Sequence, residues 1–187
     1  MAASPIAPWR SPLARALHYH KEPHARYVQL ATVSPQSLPH NRTVVFRGFL
    51  RDTDTLQFIT DRRSAKVQDI KAHPYGEVCW YFPKTREQFR IAGSLRLIDT
   101  ADPDRTALWQ AISAKARAQF FWAEPGAPRQ AATEFIETWA GLDPPDNFCL
   151  LLLQPTTVDH LQLRGNPQNR TLYKWENNQW TVTDINP

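Results

Sequence analysis

The stretch FITDRRSAKVQDIKAHP, Phe58 to Pro74, places Arg62, Arg63 and Lys66 among Thr60, Asp61 and Ser64, where an alternating apolar segment hands over to a helical one. Cations and hydroxyls at such a junction can solvate a turn. They can also hold an anion, most simply a phosphate, because a helix start offers unpaired N–H groups and the positive end of its dipole. Arg42, Arg47 and Arg170 add cations near the ends of extended segments. Arginine grips phosphate as a bidentate fork and lysine as a compact charge, so these are the residue types an anionic ligand needs. Arg42 and Arg47 raise a difficulty: strict alternation puts residues five apart on opposite faces, and they share a site only if a bulge or a strand edge intervenes.

Other chemistries are not written in the chain. It has no GxGxxG, GxxxxGK[ST], HExxH or GxSxG pattern. The six histidines show no ligand spacing, and His18 and His20, two apart on a helical stretch, point to different faces; no metal site is expected. The two cysteines, Cys79 and Cys149, sit in separate apolar runs and fit buried thiols of a reducing compartment, hence a cytoplasmic location. The net charge of +4 over 187 residues is spread without blocks. A local anion site explains it, and the scattered tryptophans offer no stacking platform for nucleic acid, so no nucleic-acid partner is expected. FCLLLLQP is the longest apolar run and is too short to span a membrane.

The elements that must position these residues follow from periodicity. Residues 26–34, 41–50 and 55–60 read as a meander of antiparallel strands with a turn at RDTD. Residues 64–73 read as a helix with Val67, Ile70 and Lys71 on one face, stopped by Pro74. EVCWYF (77–82) is a continuous apolar run, expected to be buried on both faces. In 88–98, Phe89, Ile91, Leu95 and Leu97 alternate with Gln88, Arg90, Ser94 and Arg96, and Gly93 suggests a bulge or a close backbone approach. Helices are expected over 103–122 and 129–141, separated by the loop AEPGAP. Strands return at 147–163, 170–176 and 179–185, with Asn177 and Asn178 as a tight hairpin turn. The first 21 residues contain no acid, as in organelle transit peptides, but SPLARALHYH reads as a short helix with Ser11 at its N-cap and Pro12 in first position, part of the fold. About seven mostly sequence-adjacent strands with inserted helices, and no βαβ alternation, predict a mainly β, antiparallel closed or split barrel, one domain over 1–187.

NRTVVFRGF, LQFITDRRSAK, EQFRIAG and NRTLYKWENNQW, in that order, resemble the pyridoxamine 5′-phosphate oxidase family of FMN-binding split barrels. The resemblance covers residues 26–98 and 147–187. LATV, RTVVFRGF and FFWAEPGAP look closest to a branch whose substrate is unassigned. It implies FMN as cofactor and a homodimer with the cofactor site at the subunit interface. Arg42 and Lys66 would grip the FMN phosphate, with Ser64 and Thr60 adding hydrogen bonds. Thr43, Val44, Val45 and Arg47 would line the flavin, along with Ile59, which stands where the family has an aromatic. Gln88 and Arg170 would reach the flavin from the neighbouring subunit, Arg170 at its pyrimidine edge. Ala65 replaces one of two usual basic residues, for which Arg62 or Arg63 would substitute, and Leu161 replaces a late Trp. The middle helix offers Trp109, Ser113 and Arg117 in place of the Tyr, Arg and Ser that hold the substrate phosphate in true oxidases, and RGNPQN replaces a ring-facing Arg and His. The flavin site is kept and the vitamin site is not. The resemblance therefore implies an FMN-dependent oxidoreductase acting on an unidentified small substrate. Its rivals are a non-catalytic flavin- or haem-binding split barrel and a basic β-barrel that binds nucleic acid.

Overall fold

The computed structural model describes residues 6–99, 101–129 and 135–187. The chain forms α1 (Arg10–Tyr19), β1 (Tyr27–Val33), β2 (Pro39–Val45), β3 (Gly48–Phe49), β4 (Leu56–Asp61), α2 (Ala65–Ala72), β5 (Tyr75–Phe82), β6 (Glu87–Ile98), α3 (Pro103–Ala111), α4 (Ala114–Ala118), β7 (Phe148–Gln162), β8 (Asn169–Glu176) and β9 (Gln179–Ile185). The nine strands make one antiparallel sheet in the order β2-β1-β5-β6-β7-β4-β3, with β8 pairing β7 and β9 pairing β8. Their inward faces, among them Val28, Leu30, Val44, Phe58, Val78, Trp80, Phe89, Ile91 and Leu151, meet in one core, and α1 adds Trp9, Leu13 and Ala16 to it. The barrel is split, as the sequence predicts: β2 and β3 are the two ends of the strand order, although only Phe46 and Arg47 separate them along the chain.

That separation corrects the single strand expected over 41–50. Phe46 N–H still donates to Arg26 O on the β1 side, whereas Arg47 N–H donates to Gln57 O on the β4 side. Gly48, at φ +124°, makes the turn with a backbone that side chains disfavour. The expected meander is corrected as well. β1 and β2 pair in register from Tyr27↔Val45 to Val33↔Pro39, but β4 pairs with β7 and not with β2.

β6 and β7 run beside each other along their length and bend together. Their register shifts between Ala92 and Gly93, so that Thr156 is the extra residue on β7. A Cβ on Gly93 would sit 2.0 Å from Gln154 O. Gly93→Ala is expected to lower stability by about 1–3 kcal/mol, measurable as an earlier urea midpoint. At the hairpin joining β8 to β9, Asn177 and Asn178 both adopt positive φ, 51° and 63°, as their sequence signalled.

Other expectations change. α1 starts at Arg10, ahead of Ser11, because Trp9 is wholly buried against Phe49 and Trp180 and Asp54 accepts from Ala7 N–H and Arg10. On α2, Val67 and Ile70 are buried but Lys71 is exposed, and Asp69 takes the inward position. β5 buries one face only: Val78, Trp80 and Phe82 face the core, Cys79 is half-buried and Tyr81 is exposed. The helix expected over 103–122 breaks at Ile112, whose ψ of 155° is extended, and Ser113 caps α4 by accepting from Ala116 N–H. Its end, Gln119–Phe121, is one 3₁₀ turn. Of the helix expected over 129–141, residues 135–141 are not helical, and 130–134 lie outside the described residues.

Candidate functional site

Where the sheet fails to close, two strand edges face each other without a ladder. β2 pairs only with β1, and Phe58–Asp61 of β4 pairs only with β7. Free N–H and C=O groups of such edges are ready partners for a ligand. A cavity of about 700 Å³ opens there. Arg42, Thr43, Val44, Val45 and Arg47 form one wall, Ile59, Thr60, Asp61 and Lys66 the floor, and Gln119, Phe120, Trp122, Glu124, Pro125, Arg129 and Phe135 the far wall. The break between β2 and β3 removes the alternation problem, because Arg42 and Arg47 leave the chain on either side of it and line one cavity.

One end of the cavity collects hydroxyls and cations. Lys66 Nζ donates to Thr60 Oγ1 at 3.2 Å and to Ser64 Oγ at 3.1 Å. No carboxylate among the described residues lies within salt-bridge distance of it, as none of the twelve ion pairs includes Lys66. Burial, and then the neighbouring charge of Arg42, pull the Lys66 ammonium below its usual range. A half-buried lysine with no carboxylate in salt-bridge distance is stabilised by an incoming anion. Ser64, at the N-cap of α2, donates to Asp61 O at 2.7 Å and accepts no bond from the backbone N–H groups of the helix. Its hydroxyl therefore serves the cluster and not the cap. Arg42 donates from Nη1 to Leu30 O and Thr32 Oγ1, and from Nη2 to Asp69 Oδ2 at 3.1 Å. Further along the same wall, Arg47 has a buried Nε with no hydrogen-bond partner among the described residues. Burial, then the charge of Arg26, lower its pKa.

The three basic residues of the DRRSAK junction take three different partners. Arg62 pairs with Asp99 at 3.3 Å, half-exposed. Arg63 turns from the cavity: it clamps Asp61 through Nε and Nη2, at 3.0 and 2.7 Å, and donates to Trp122 O at 3.1 Å. Lys66 alone of the three basic residues lines the cavity, and neither Arg62 nor Arg63 does.

Asp61 is the hub of this turn. Burial pushes its carboxyl up, but donors from Arg63 and Asn147 outweigh burial and hold it below the usual range. A group with a depressed native pKa stabilises the fold above the unfolded carboxylate pKa, and that contribution is lost as pH falls through the native value. Asp61→Asn is expected to flatten the acid limb of stability against pH, read from urea midpoints between neutral and strongly acidic buffer. An unchanged acid limb would contradict the role of the clamp.

Gln88 and Arg170 lie elsewhere in the chain. Cross-strand register puts Tyr81, Gln88, Leu161, Arg170 and Ile185 in one row on the sheet face opposite Phe89 and His160. Arg170 meets Asp159 in a two-point contact, Nε–Oδ1 3.0 Å and Nη2–Oδ2 2.7 Å. Residues 119–122 of the far wall were expected to end the helix over 103–122, and the loop that follows to 129 shows no period. Its only signal was the phrase FFWAEPGAP.

The middle-helix residues Trp109, Ser113 and Arg117, and Arg164 of the RGNPQN loop, are engaged within the fold. Trp109 Nε1 donates to Gly141 O at 3.1 Å, Ser113 caps α4, and Arg117 Nη1 donates to Gly141 O at 2.8 Å and Ala140 O at 3.3 Å. Arg164 donates to Lys84 O. No cluster of His, Cys, Asp or Glu suited to a metal ion occurs among the described residues, nor any helix long and apolar enough to cross a membrane.

Residues 6–99 match the family described as pyridoxamine 5′-phosphate oxidase, FMN-binding domain. A curated relative from Arabidopsis thaliana, pyridoxine/pyridoxamine 5′-phosphate oxidase 2, is 40% identical over 86% of this chain and 86% of its own length. The crystal structure of a pyridoxamine 5′-phosphate oxidase-related, FMN binding protein from Nostoc punctiforme PCC 73102 superposes with a TM-score of 0.91 at 51% identity, covering 97% of this chain and 98% of that one. PhzG from Burkholderia lata 383 superposes with a TM-score of 0.79 at 16% identity, covering 96% of this chain and 90% of that one, which speaks to the fold alone.

Proposed function

The chain belongs to the pyridoxamine 5′-phosphate oxidase family of FMN-binding domains, with FMN as its cofactor, and from that membership we propose that it is an FMN-dependent oxidoreductase of a small substrate, working as a homodimer. The observation that carries the reading is the cavity at the split, with a half-buried lysine that forms no ion pair among the described residues and two hydroxyls at one end, and an Arg47 Nε without a hydrogen-bond partner on its wall. The residues fit the group. Arg42, Lys66, Thr60 and Ser64 would hold the phosphate by charge-assisted bonds. Thr43, Val44, Val45, Arg47 and Ile59 would line the ring system. FMN, when bound, supplies a ring that accepts or gives a hydride. The chain's own task is to fix that ring, keep water from it with the 119–129 wall, and admit the substrate beside it.

Gln88 and Arg170, in their outward row, would complete the site of a second copy. The Asp159 contact holds Arg170 in place for that role. The name of the Arabidopsis relative offers pyridoxine and pyridoxamine phosphates as substrates. The internal engagement of Trp109, Ser113 and Arg117 favours a different small molecule. Two unpaired thiols, Cys79 and Cys149, fit a cytoplasmic setting.

The test is a visible spectrum of the purified protein, followed by anaerobic reduction with NADPH and reoxidation by oxygen, with sedimentation in parallel. Flavin bands, turnover and a dimer support the proposal. A Soret band, a colourless protein, or a stable monomer that binds FMN would each remove part of it.

A further inference from the structure

Asp69 is 2% exposed and lies one helical turn beyond Lys66, on the face of α2 that meets β1 and β2. It lines no part of the cavity. Its Oδ2 nevertheless accepts from Thr32 Oγ1 at 2.7 Å, His40 Nδ1 at 3.0 Å and Arg42 Nη2 at 3.1 Å. Thr32, itself 2% exposed, also accepts from Arg42 Nη1 at 2.5 Å, which closes a ring of Asp69, Thr32 and Arg42.

We propose that Asp69 is the positioning residue for the phosphate-binding guanidinium, an inference resting on the reading that the FMN phosphate occupies the Arg42–Lys66 end of the cavity. The donor count supports it. A guanidinium has five N–H groups in a rigid fork. In Arg42 both Nη1 donors are engaged, by Leu30 O and Thr32 Oγ1, and one Nη2 donor by Asp69, which makes three. The two that remain, on Nε and Nη2, belong to a single edge of the fork, the arrangement that takes two oxygens of one phosphate. Asp69 and Thr32 thus fasten the other edge. Without them only the 3.2 Å bond to Leu30 O restrains the guanidinium, and most of its ordering falls to the ligand.

The buried carboxylate has an electrostatic consequence too. It sets a negative charge behind Arg42, which by itself repels a phosphate. Positioning and repulsion therefore predict opposite signs for its removal, and a measurement separates them. Burial pushes the Asp69 carboxyl up, but the donors from Thr32, His40 and Arg42 outweigh it and hold the group below its usual range, so it is ionised at neutral pH.

The experiment compares FMN with riboflavin, which lacks the phosphate, by flavin fluorescence titration of the full-length chain, Asp69→Asn, Thr32→Val, Arg42→Ala and the double variant Asp69→Asn/Arg42→Ala. The expected result is about tenfold weaker FMN binding in Asp69→Asn, as for one charge-assisted contact. Riboflavin affinity stays unchanged, Thr32→Val shifts FMN in the same direction, and Asp69→Asn has no further effect once Arg42 is Ala. An equal loss for both flavins assigns Asp69 to general stability and overturns the inference, as does unchanged or tighter FMN binding. If Asp69→Asn does not fold, the near-isosteric Thr32→Val decides by the same ratio. An unmodified chain that binds riboflavin as tightly as FMN overturns the phosphate assignment itself, a result distinct from a failure confined to the Asp69 variants.

Discussion

Pyridoxamine 5′-phosphate, supplied with FMN and oxygen, is expected to be turned over with a catalytic efficiency about 10²- to 10⁴-fold below that of a dedicated oxidase. A substrate phosphate needs a cationic cradle of its own, apart from the one that holds FMN. The segment where the family resemblance places that cradle is occupied with holding the fold together. Trp109 is fully buried, and its indole N–H binds Gly141 O. Ser113 caps a helix, and Arg117 fastens the backbone at Ala140 and Gly141. Freeing Arg117 would release a loop that packs over α3 and α4. Two missing charge-assisted contacts, at about 1.5–3 kcal/mol each, give the stated range. Arg47 and Arg129 still line the cavity, so weak turnover is compatible with the prediction. Following aldehyde formation at several substrate concentrations decides it. An efficiency equal to that of a dedicated oxidase would show that other residues rebuild the phosphate cradle.

Lys66→Met is expected to weaken FMN binding about 10- to 150-fold, the loss of a charge-assisted contact of about 1.5–3 kcal/mol. Methionine keeps the length and apolar stem of the side chain and removes the charge. Lys66 is unlike its neighbours because it donates to two hydroxyls and forms no ion pair among the described residues, whereas Arg62 and Arg63 pair with Asp99 and Asp61. Removing the ammonium relieves a desolvation cost in the empty site, so Lys66→Met should lose affinity without losing thermal stability. Lys71→Met is the control: it lies on the same helix, exposed, and changes the net charge equally. Equal weakening in both variants would mean a diffuse field and no site.

Much of this was legible beforehand where periodicity and turn chemistry speak. The alternation around Gly93 and the Asn177–Asn178 turn carry local signals, and the structure places each as its signal implies. The break after Val45 was not legible. NRTVVFRGFL continues apolar across it, and only the tertiary decision to move from β1 to β4 splits it. β5 misled in a related way: a run of apolar residues says nothing about whether a second layer covers them, and here Tyr81 stays exposed. Nor could spacing separate Arg63 from Lys66. Both are cations at one turn, and the choice depends on Asp61 and Asn147, the second of which arrives from far along the chain. Asp69 was hidden for the opposite reason. A single acid on an amphipathic helix reads as solvated until its partners from β1 and β2 are known. The loop of the far wall that runs on to 129 has no period at all, and loops carry function without announcing it.

The proposed oxidoreductase would hold the phosphate of FMN at the Thr60–Ser64–Lys66 end of the split, beside Arg42. The most direct test is the ratio of riboflavin to FMN dissociation constants for the unaltered protein under one buffer and salt condition. Two charge-assisted contacts at about 1.5 kcal/mol or more each predict that FMN binds at least about 100-fold more tightly. Equal affinities would contradict the account.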